Sequence, residues 1–129
     1  MFHHVVDDIE RVGDHVVNIA QRADRAQRAG HRFSEDAVHD LNDMFDRVRG
    51  LYRISLRALQ GEDREAANEA FLLEKNVDRL EIEYKANHVH RLESGRCNPE
   101  GGILFVEILH NLERIGDHAV NIAGDVLMI

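Results

Sequence analysis

Paired acidic residues are the groups in this sequence best suited to chemistry. Glu113 and Asp117 are four residues apart, so on a helix their side chains lie on one face, one turn apart. Two carboxylates held this close repel each other, and burial strengthens the repulsion, unless a cation or a proton lies between them. Such oxygen ligands suit hard or borderline cations, among them Fe, Mn, Mg, Ca and Zn. The pair therefore predicts a metal site.

A second acidic stripe precedes this pair in the chain and consists of Glu74, Asp78 and Glu81. If the chain turns near residues 97–98, residues equally far before and after the turn lie level on two antiparallel helices. Asp78 lies about 19 residues before that turn and Asp117 about 20 after it. We therefore expect these two carboxylates to face each other and four or five carboxylates to converge from the two helices.

The acidic pair belongs to a repeat that occurs twice. Residues 9–20 read IERVGDHVVNIA and residues 112–123 read LERIGDHAVNIA, identical at nine of twelve positions with an offset of 103 residues. Core packing alone would require only the apolar positions to agree. The polar residues that agree are Glu10/Glu113, Arg11/Arg114, Asp14/Asp117, His15/His118 and Asn18/Asn121. The repeat therefore predicts one shared role for both copies, the alternative being a duplicated ancestor that has not diverged.

Arginines offer the acidic residues a different partner. A salt-bridged network would neutralise the carboxylates without any metal. This alternative is stronger around the first copy, because counting through the turns places Asp14 level with Arg49. The arginines that could take part are Arg11, Arg47, Arg49, Arg53 and Arg114.

Two further functions compete with a regulatory metal site. Glu107 and His110 fit the Glu-x-x-His pattern of carboxylate-bridged di-iron bundles, and Asp36 with His39 is a near relative of that pattern. A carboxylate-bridged di-metal redox protein is therefore one alternative, and a purely structural dimerisation bundle is the other. The sequence carries no Gly-rich phosphate loop and no nucleophile elbow. We expect a protein that is not an enzyme.

The composition predicts a helical protein of one domain, residues 1–129. The 129 residues are 43% hydrophobic and 31% charged, with 5% aromatics and one proline, which leaves few strand signals. The net charge of −8 argues against nucleic acid as a partner. A lone cysteine, Cys97, excludes an internal disulfide and a multi-cysteine zinc site. No apolar run approaches the ~18 residues of a membrane span, and the start lacks a secretion signal, so we expect a cytoplasmic protein.

Glycines and capping residues divide the chain into four long helices. The predicted helices span residues 2–29, 35–60, 62–93 and 99–127. Gly30, Gly61 and Gly95 end the first three, while Ser34 and Asn98 are suited to capping the second and fourth. Because the connections are short, sequential helices should be antiparallel. The fold class is therefore all-α, an antiparallel up-down bundle of four long helices.

Helical spacing also predicts which residues of the first helix face the core. The predicted stripe is Val5, Ile9, Val12, Val16, Ile19 and Ala23. Each copy of the repeat contains one glycine, Gly13 or Gly116, at a cost in helix propensity of roughly 1 kcal/mol. We expect these glycines to let the first and last helices approach closely.

The repeated signature ERxGDHxxNIA resembles the E(D)xxxD motif of PhoU-like proteins, the regulators of bacterial phosphate uptake. Residues 73–92, the Cys-Asn-Pro turn and residues 103–123 are especially similar to the soluble C-terminal PhoU domain of bacterial Na⁺/phosphate cotransporter-family proteins. PhoU-like proteins contain two three-helix repeats, each with the motif on its third helix. On that pattern, residues 2–29 are one helix of a first, incomplete repeat, and residues 35–127 are a complete second repeat.

The resemblance implies ligands and a function. PhoU-like proteins bind metal clusters through their E(D)xxxD motifs, and their middle helix is acidic. The residues so implied as metal ligands are Glu10, Asp14, Glu74, Asp78, Glu81, Glu113 and Asp117. The implied function is a metal-binding regulatory or accessory domain of phosphate transport. It would act by contact with a phosphate transporter, its membrane domain or a signalling partner.

Two helices of the first repeat are missing from this chain. Either the chain is a piece of a longer one, or something else covers the exposed face of its first helix, for which self-association would serve. We therefore expect a homo-oligomer. The arginine-rich segment 22–32 offers a contact with lipid headgroups at the inner face of the membrane or with an acidic transporter loop. The alternative for this segment is a solvated helix end.

Overall fold

The computed structural model describes residues 2–128, which form four α-helices joined by short connections. The helices are α1 (Phe2–Arg28), α2 (Glu35–Gly61), α3 (Arg64–Glu93) and α4 (Pro99–Leu127). The prediction of an all-α bundle of four long helices is thus confirmed. Within residues 2–128, each helix is either too short or too polar to cross a lipid bilayer.

Side-chain caps and left-handed residues set the helix boundaries. Ser34, Asp63 and Asn98 each accept hydrogen bonds from backbone N–H groups in the first turn of the helix that follows. These bonds satisfy donors that have no partner inside the helix. Gly30 and Gly95 follow α1 and α3 with φ of 72° and 70°, a conformation in which a side chain would be strained. The chain therefore reverses direction between consecutive helices, at Gly30 and Gly95 as predicted. Between α2 and α3 the prediction is off by one residue, because α2 includes Gly61 and Glu62 takes the left-handed conformation, with φ of 49°.

Helix α4 is the centre of the structure. It packs against α1, α2 and α3, and α2 also packs against α3. In the described part of the chain, α1 contacts no helix other than α4. The core therefore lies among α2, α3 and α4, and α1 lies against the far side of α4. The largest fully buried side chains are Met44, Leu51, Val77, Phe105, Leu109, Leu112, Ile122 and Val126.

Polar contacts hold α2 and α3 in register. The Tyr84 hydroxyl donates a hydrogen bond to the Asp43 carboxylate. One turn closer to the start of α2, Asp40 accepts from Arg91 at 3.3 Å and from Asn87 at 3.2 Å. Arg91 is buried and also lies over the Phe105 ring of α4, 5.1 Å from its centroid. These contacts fix the rotation of α3 and so the direction in which its acidic stripe points.

The structure corrects the predicted role of the repeat glycines. A Cβ on Gly116 would lie 3.4 Å from Leu51 Cδ2 and 3.6 Å from Val77 Cγ1, so this glycine faces α2 and α3. A Cβ on Gly13 would have no neighbour within 4 Å. Neither glycine lies where α1 meets α4, and the expectation that they let these two helices approach closely is wrong.

The predicted core stripe of α1 is also only partly right. Val5 and Val12 are buried against α4, but Ile9 and Val16 of the same predicted stripe are 41% and 52% exposed. Asp8 takes a buried position in their place. The reason is that α1 packs against one helix rather than several, so only one narrow face of it is covered.

Candidate functional site

Three carboxylates from two helices meet on one side of the bundle. Glu74 and Asp78 of α3 and Asp117 of α4 each offer an oxygen, and these oxygens lie within 4.8 Å of one another. Asp78 and Asp117 therefore face each other across the α3–α4 contact. Behind them, Val77 of α3 packs close to Gly116 of α4, which brings the two helices together at this height.

Two more acidic residues extend the cluster along the same groove. Glu113 lies one turn before Asp117 on α4, and Glu81 lies one turn after Asp78 on α3. Burial, followed by the charges of Asp117 and Glu81, raises the pKa of Glu113 from its ordinary value of 4.5 to about 8. Five carboxylates thus act on one another across the two helices.

The pKa values of Glu74 and Asp78 on α3 are shifted in the same direction. Burial, together with the charge of Asp78 and a hydrogen bond to it, raises the pKa of Glu74 to about 7. Burial and the charges of Asp117 and Glu81 also raise the pKa of Asp78. At neutral pH the cluster therefore carries mutual repulsion that a bound proton or cation would relieve.

Basic side chains do not neutralise the centre of the cluster. Among the residues described, no lysine or arginine forms an ion pair with Glu74, Asp78 or Asp117. One oxygen of Glu81 accepts from Lys85 at 2.8 Å, while the other oxygen is buried and has no hydrogen-bond partner in the described structure. The arginines considered as alternative partners are occupied elsewhere or exposed, with Arg47 paired to Asp43 and Arg49 to Asp46.

The first copy of the acidic pair lies apart from this cluster. Glu10 and Asp14 are exposed on α1, which does not contact α2 or α3 in the described part of the chain. The predicted proximity of Asp14 to Arg49 is therefore not observed. Of the seven predicted ligands, five lie at the α3–α4 groove, and the other two are exposed on α1, apart from that groove.

The repeated histidines and asparagines join α1 to α4. His15 Nδ1 donates to Asn111 Oδ1 at 2.8 Å, and His118 Nδ1 donates to Asp8 Oδ1 at 2.9 Å. Asn18 Nδ2 donates to the same Asn111 oxygen at 3.3 Å. Asn121 Nδ2 likewise donates to the same Asp8 oxygen at 3.3 Å.

These contacts follow a local twofold symmetry. The repeat offset of 103 residues converts position 15 into 118 and position 8 into 111. The contact between His15 and Asn111 is therefore the symmetry counterpart of the contact between His118 and Asp8. The repeated histidine and asparagine belong to a helix–helix contact, which explains why these polar residues agree in both copies.

Sequence reasoning missed Asp8 and Asn111, the two acceptors at the centre of this contact. Each residue stands directly before its copy of the repeat, at equivalent positions. Because an aspartate and an asparagine are not identical, the identity between the two copies does not extend to these positions. Their shared position and shared ability to accept a hydrogen bond were the signal that could have revealed them.

The structure does not assemble the Glu-x-x-His residues into a site. Glu107 accepts from Arg22 Nε at 2.9 Å in an ion pair between α4 and α1. His110 is exposed. Asp36 and His39 line a different cavity, of about 520 Å³, beside the α2–α3 contact. In the described structure, neither Glu107 and His110 nor Asp36 and His39 belong to the carboxylate cluster.

The α3–α4 groove has the donor set of a hard-cation site. Its ligands are all carboxylate oxygens, and Asp78 is exposed, so an ion could enter from solvent. Three of the carboxyl groups, Glu74, Asp78 and Glu113, have raised pKa values, so a bound cation would displace protons from them. Among the described residues the groove offers carboxylate oxygens alone, a set of ligands that could hold a cation.

Comparison with known proteins identifies a family. Residues 41–126 match the PhoU domain family. The chain is 28% identical over 123 residues to "Phosphate-specific transport system accessory protein PhoU homolog 1" of Thermotoga maritima, an alignment that covers 95% of this chain and 52% of the relative. It is 31% identical over 127 residues to a PhoU homolog of Pseudomonas putida, covering 96% of this chain and 48% of the relative.

A PhoU homolog of Clostridium acetobutylicum is 28% identical over 127 residues, which cover 97% of this chain and 56% of the relative. The chain thus spans about half the length of the curated relatives it matches. No solved structure gives a significant match to it.

Proposed function

The chain belongs to the PhoU domain family, and we propose that it is a metal-binding accessory domain of phosphate transport that regulates by protein contact. The observation that carries the metal assignment is the cluster of Glu74, Asp78 and Asp117, whose oxygens lie within 4.8 Å of one another. No lysine or arginine of residues 2–128 pairs with any of the three. The accessory role is supported by the relatives, which carry that description in their names.

Five residues of the groove would hold the ion. Glu74, Asp78 and Asp117 are the central ligands. Glu113 on α4 and Glu81 on α3 each lie one helical turn nearer the connection between α3 and α4. Such a set suits Fe, Mn, Zn, Mg or Ca. A bound ion would tie α3 to α4 by offsetting the repulsion between their carboxylates. It would thereby stabilise the surface to which a partner protein binds.

Metal content tests this assignment directly. Protein purified without a histidine tag would be analysed by elemental mass spectrometry before and after dialysis against a chelator. The melting temperature would be followed in parallel. We expect stoichiometric metal, a lower melting temperature after its removal, and recovery when one of the candidate metals is returned. Bound ligand stabilises the folded state by mass action, so occupancy and melting temperature should change together.

Three variants distinguish the residues that bind the metal from other acidic residues. Asp117→Asn and Asp78→Asn should lower the metal content, whereas Glu83→Gln, an exposed acid on the same helix α3, should leave it unchanged. In chelated buffer, Asp117→Asn should retain or raise the stability because it removes a repulsive charge. Loss of stability in that buffer would mean that Asp117 serves a structural ion pair, and the metal assignment would fail.

Glu10 and Asp14 form half of an equivalent site. They correspond to Glu113 and Asp117 through the repeat, but lie exposed on α1, which contacts neither α2 nor α3 within residues 2–128. We propose that they bind metal only when a further acidic segment covers α1. In this chain alone, Asp14→Asn should therefore leave the metal content unchanged while Asp117→Asn lowers it. An equal loss from both variants would show that the α1 pair binds metal independently.

The proposed partner is a phosphate transporter or its membrane domain, at the inner face of the membrane. Arg25 and Arg32 are exposed near the end of α1 and in the loop that follows it. Their charge suits an acidic loop or lipid headgroups. Binding would be measured between the purified chain and phosphate transporters encoded in the same genome, reconstituted in vesicles.

The charge reversals Arg25→Glu and Arg32→Glu should weaken transporter binding. Arg57→Glu, an exposed arginine on α2, is the matched control and should bind normally. Vesicles of anionic lipid without transporter form the second arm and measure headgroup binding alone. Equal binding to both kinds of vesicle would identify a lipid contact, and absence of binding to transporter vesicles would overturn the transporter assignment.

A further inference from the structure

A cavity of about 520 Å³ lies where α2 begins and α3 ends. In the described structure its lining is entirely polar, with two arginines, two histidines, two aspartates, an asparagine and a serine. Sites of this size for drug-sized molecules are mostly apolar, with only a few polar groups. The lining therefore points to a small charged ligand. None of the lining residues belongs to the carboxylate cluster of the α3–α4 groove.

Two arginines of the lining have unused hydrogen-bond donors. Arg91 is only 6% exposed, and its Nη1 donates to Asp40 at 3.3 Å, whereas its Nη2 is buried and has no hydrogen-bond partner in the described structure. Arg96 lies in the turn after α3, where its backbone N–H donates to the Arg91 carbonyl at 2.8 Å. The Arg96 side chain forms no ion pair within residues 2–128. Guanidinium groups bind phosphate oxygens through paired N–H donors.

The two aspartates of the lining have different surroundings. Asp40 is buried and accepts hydrogen bonds from Arg91 and Asn87, so its charge is already offset. Asp36, one turn earlier on α2, is exposed and has no ion-pair partner among the described residues. A free carboxylate would repel a fully ionised oxyanion such as sulfate. It would instead accept a hydrogen bond from an oxyanion that keeps a proton.

Phosphate is such an oxyanion, because inorganic phosphate at neutral pH retains at least one hydroxyl group and sulfate retains none. We propose that this cavity binds a protonated phosphate group, with Arg91 and Arg96 donating to its ionised oxygens and Asp36 accepting from its hydroxyl. His39 and His90 are exposed at the edge of the same cavity and offer further ring nitrogens. The ligand is either inorganic phosphate or a small phosphomonoester. The inference does not rest on the metal site or on the transporter contact, since it uses other residues.

Isothermal titration calorimetry of the 129-residue chain tests the ligand. Inorganic phosphate, glycerol 3-phosphate and sulfate would be titrated separately at equal ionic strength, in chelator-containing buffer that removes any contribution from the proposed metal site. We expect one phosphate group bound per chain, with an affinity at least about tenfold above that for sulfate. Tighter binding of glycerol 3-phosphate than of inorganic phosphate would identify the ligand as a phosphomonoester. Equal affinity for phosphate and sulfate, or no saturable binding of either phosphate compound, would overturn the proposal.

Asp36→Asn tests the basis of the discrimination. Asparagine lacks the charge that repels sulfate, so the preference for phosphate over sulfate should fall roughly fivefold or more. Glu35→Gln is the matched control, because Glu35 is exposed in the same first turn of α2 but lies outside the cavity lining. An unchanged preference in Asp36→Asn would mean that its carboxylate does not meet the ligand, which contradicts the proposal.

Arg96→Gln tests the donors. Because Arg96 is exposed, the variant should keep the circular dichroism spectrum of the wild type, while phosphate binding should weaken by about tenfold through loss of a charge-assisted hydrogen bond. Arg79→Gln is the matched control, since Arg79 is exposed on α3 outside the cavity, and it should bind phosphate normally. Equal losses from the two variants would show general attraction by positive charge and no site.

Nuclear magnetic resonance locates the ligand in the wild-type chain. Phosphate added to ¹⁵N-labelled protein should shift the guanidinium Nε–Hε signals of Arg91 and Arg96 and leave that of Arg79 in place. This measurement includes Arg91 without replacing a buried side chain. Largest shifts at Arg25 and Arg28 of α1 would instead place the anion on the exposed arginine-rich segment, and the cavity assignment would be wrong.

Discussion

The imidazole rings of His15 and His118 stack with their centroids 5.4 Å apart and their planes 22° from parallel. They occupy equivalent positions of the repeat, so the local symmetry of α1 and α4 passes between them. Each ring donates to the residue that stands directly before the other copy of the repeat. The two copies of the repeat therefore contact each other directly, and this contact joins α1 to α4 together with the Arg22–Glu107 ion pair and the buried side chains of Val5 and Val12.

Removal of the acceptor for His118 should destabilise the α1–α4 contact. Asp8 and His118 have side-chain exposures of 12% and 11%, so Asp8→Ala would leave a buried donor without a partner. We expect a loss of about 1–3 kcal/mol in the free energy of unfolding, measured by urea denaturation followed by circular dichroism.

Asp8→Asn is the conservative comparison for this change. Asparagine can still accept from His118, and Asn111 already accepts from His15 at the equivalent position. The variant should therefore retain most of the stability that Asp8→Ala loses. Asp7→Ala, at an exposed neighbouring position, should change the free energy of unfolding by less than about 0.5 kcal/mol. Equal losses from Asp7→Ala and Asp8→Ala would show that the hydrogen bond contributes nothing specific.

The two copies of the repeat should respond differently to the same truncation. Leu112→Ala would open a cavity in the core, since Leu112 is 2% exposed, and should cost roughly 2–5 kcal/mol. Its counterpart Ile9 lies on the uncovered face of α1, so Ile9→Ala should cost less than about 1 kcal/mol in the monomer. Urea denaturation at the lowest workable protein concentration would compare the two variants. Similar losses in the free energy of unfolding would mean that this face of α1 is covered even in the monomer.

Much of the fold could be predicted because helix ends carry local signals. Gly30, Ser34, Gly95 and Asn98 fix backbone conformations or supply caps, and these effects depend only on neighbouring residues. The contacts of α1 could not be predicted in the same way. Its sequence offers two apolar faces, and only the tertiary structure determines that the one with Val5 and Val12 is buried.

The geometry of the acidic groove was also accessible from the sequence. Consecutive antiparallel helices joined by a short turn have a fixed relative height, which places Asp78 level with Asp117. The same counting fails for Asp14 and Arg49, because it assumes that α1 and α2 touch. Helices α1 and α2 are consecutive in the chain, yet α1 packs against α4 instead of α2. The number of residues between two positions determines their relative height along antiparallel helices, but not whether those helices are in contact.

Gly102→Ala should destabilise the protein although alanine favours a helix. A Cβ at this position would lie 2.7 Å from His88 Cε1, and the His88 ring is buried and stacked on Phe105 at 5.2 Å. Overpacking of this kind typically costs about 1–3 kcal/mol. Thermal denaturation should show a lower melting temperature for Gly102→Ala. Gly50→Ala, where the space is open, should instead stabilise by about 0.5–1 kcal/mol. A stabilised Gly102→Ala would mean that the His88 ring moves freely.

The metal-free protein should lose stability as the pH rises from about 4.5 to about 8. Burial and neighbouring carboxylates raise the pKa of Glu113 from 4.5 to about 8, and that of Glu74 from 4.5 to about 7. Between the ordinary and the raised pKa, the folded state binds more protons than the unfolded state. Stability then falls with rising pH, because deprotonation favours unfolding.

Glu113→Gln isolates this effect from the titration of other groups. The variant lacks the carboxyl group with the pKa of about 8, so its stability should decline less than that of the wild type across the same pH range. Urea denaturation in chelated buffer at a series of pH values would give both curves. Since the histidines are common to both proteins, the difference between the curves reports Glu113 and the carboxylates coupled to it. Parallel curves would show that Glu113 does not repel its neighbours. Metal added to the wild type should flatten its decline, because a cation bound to the carboxylates would replace the proton that is lost.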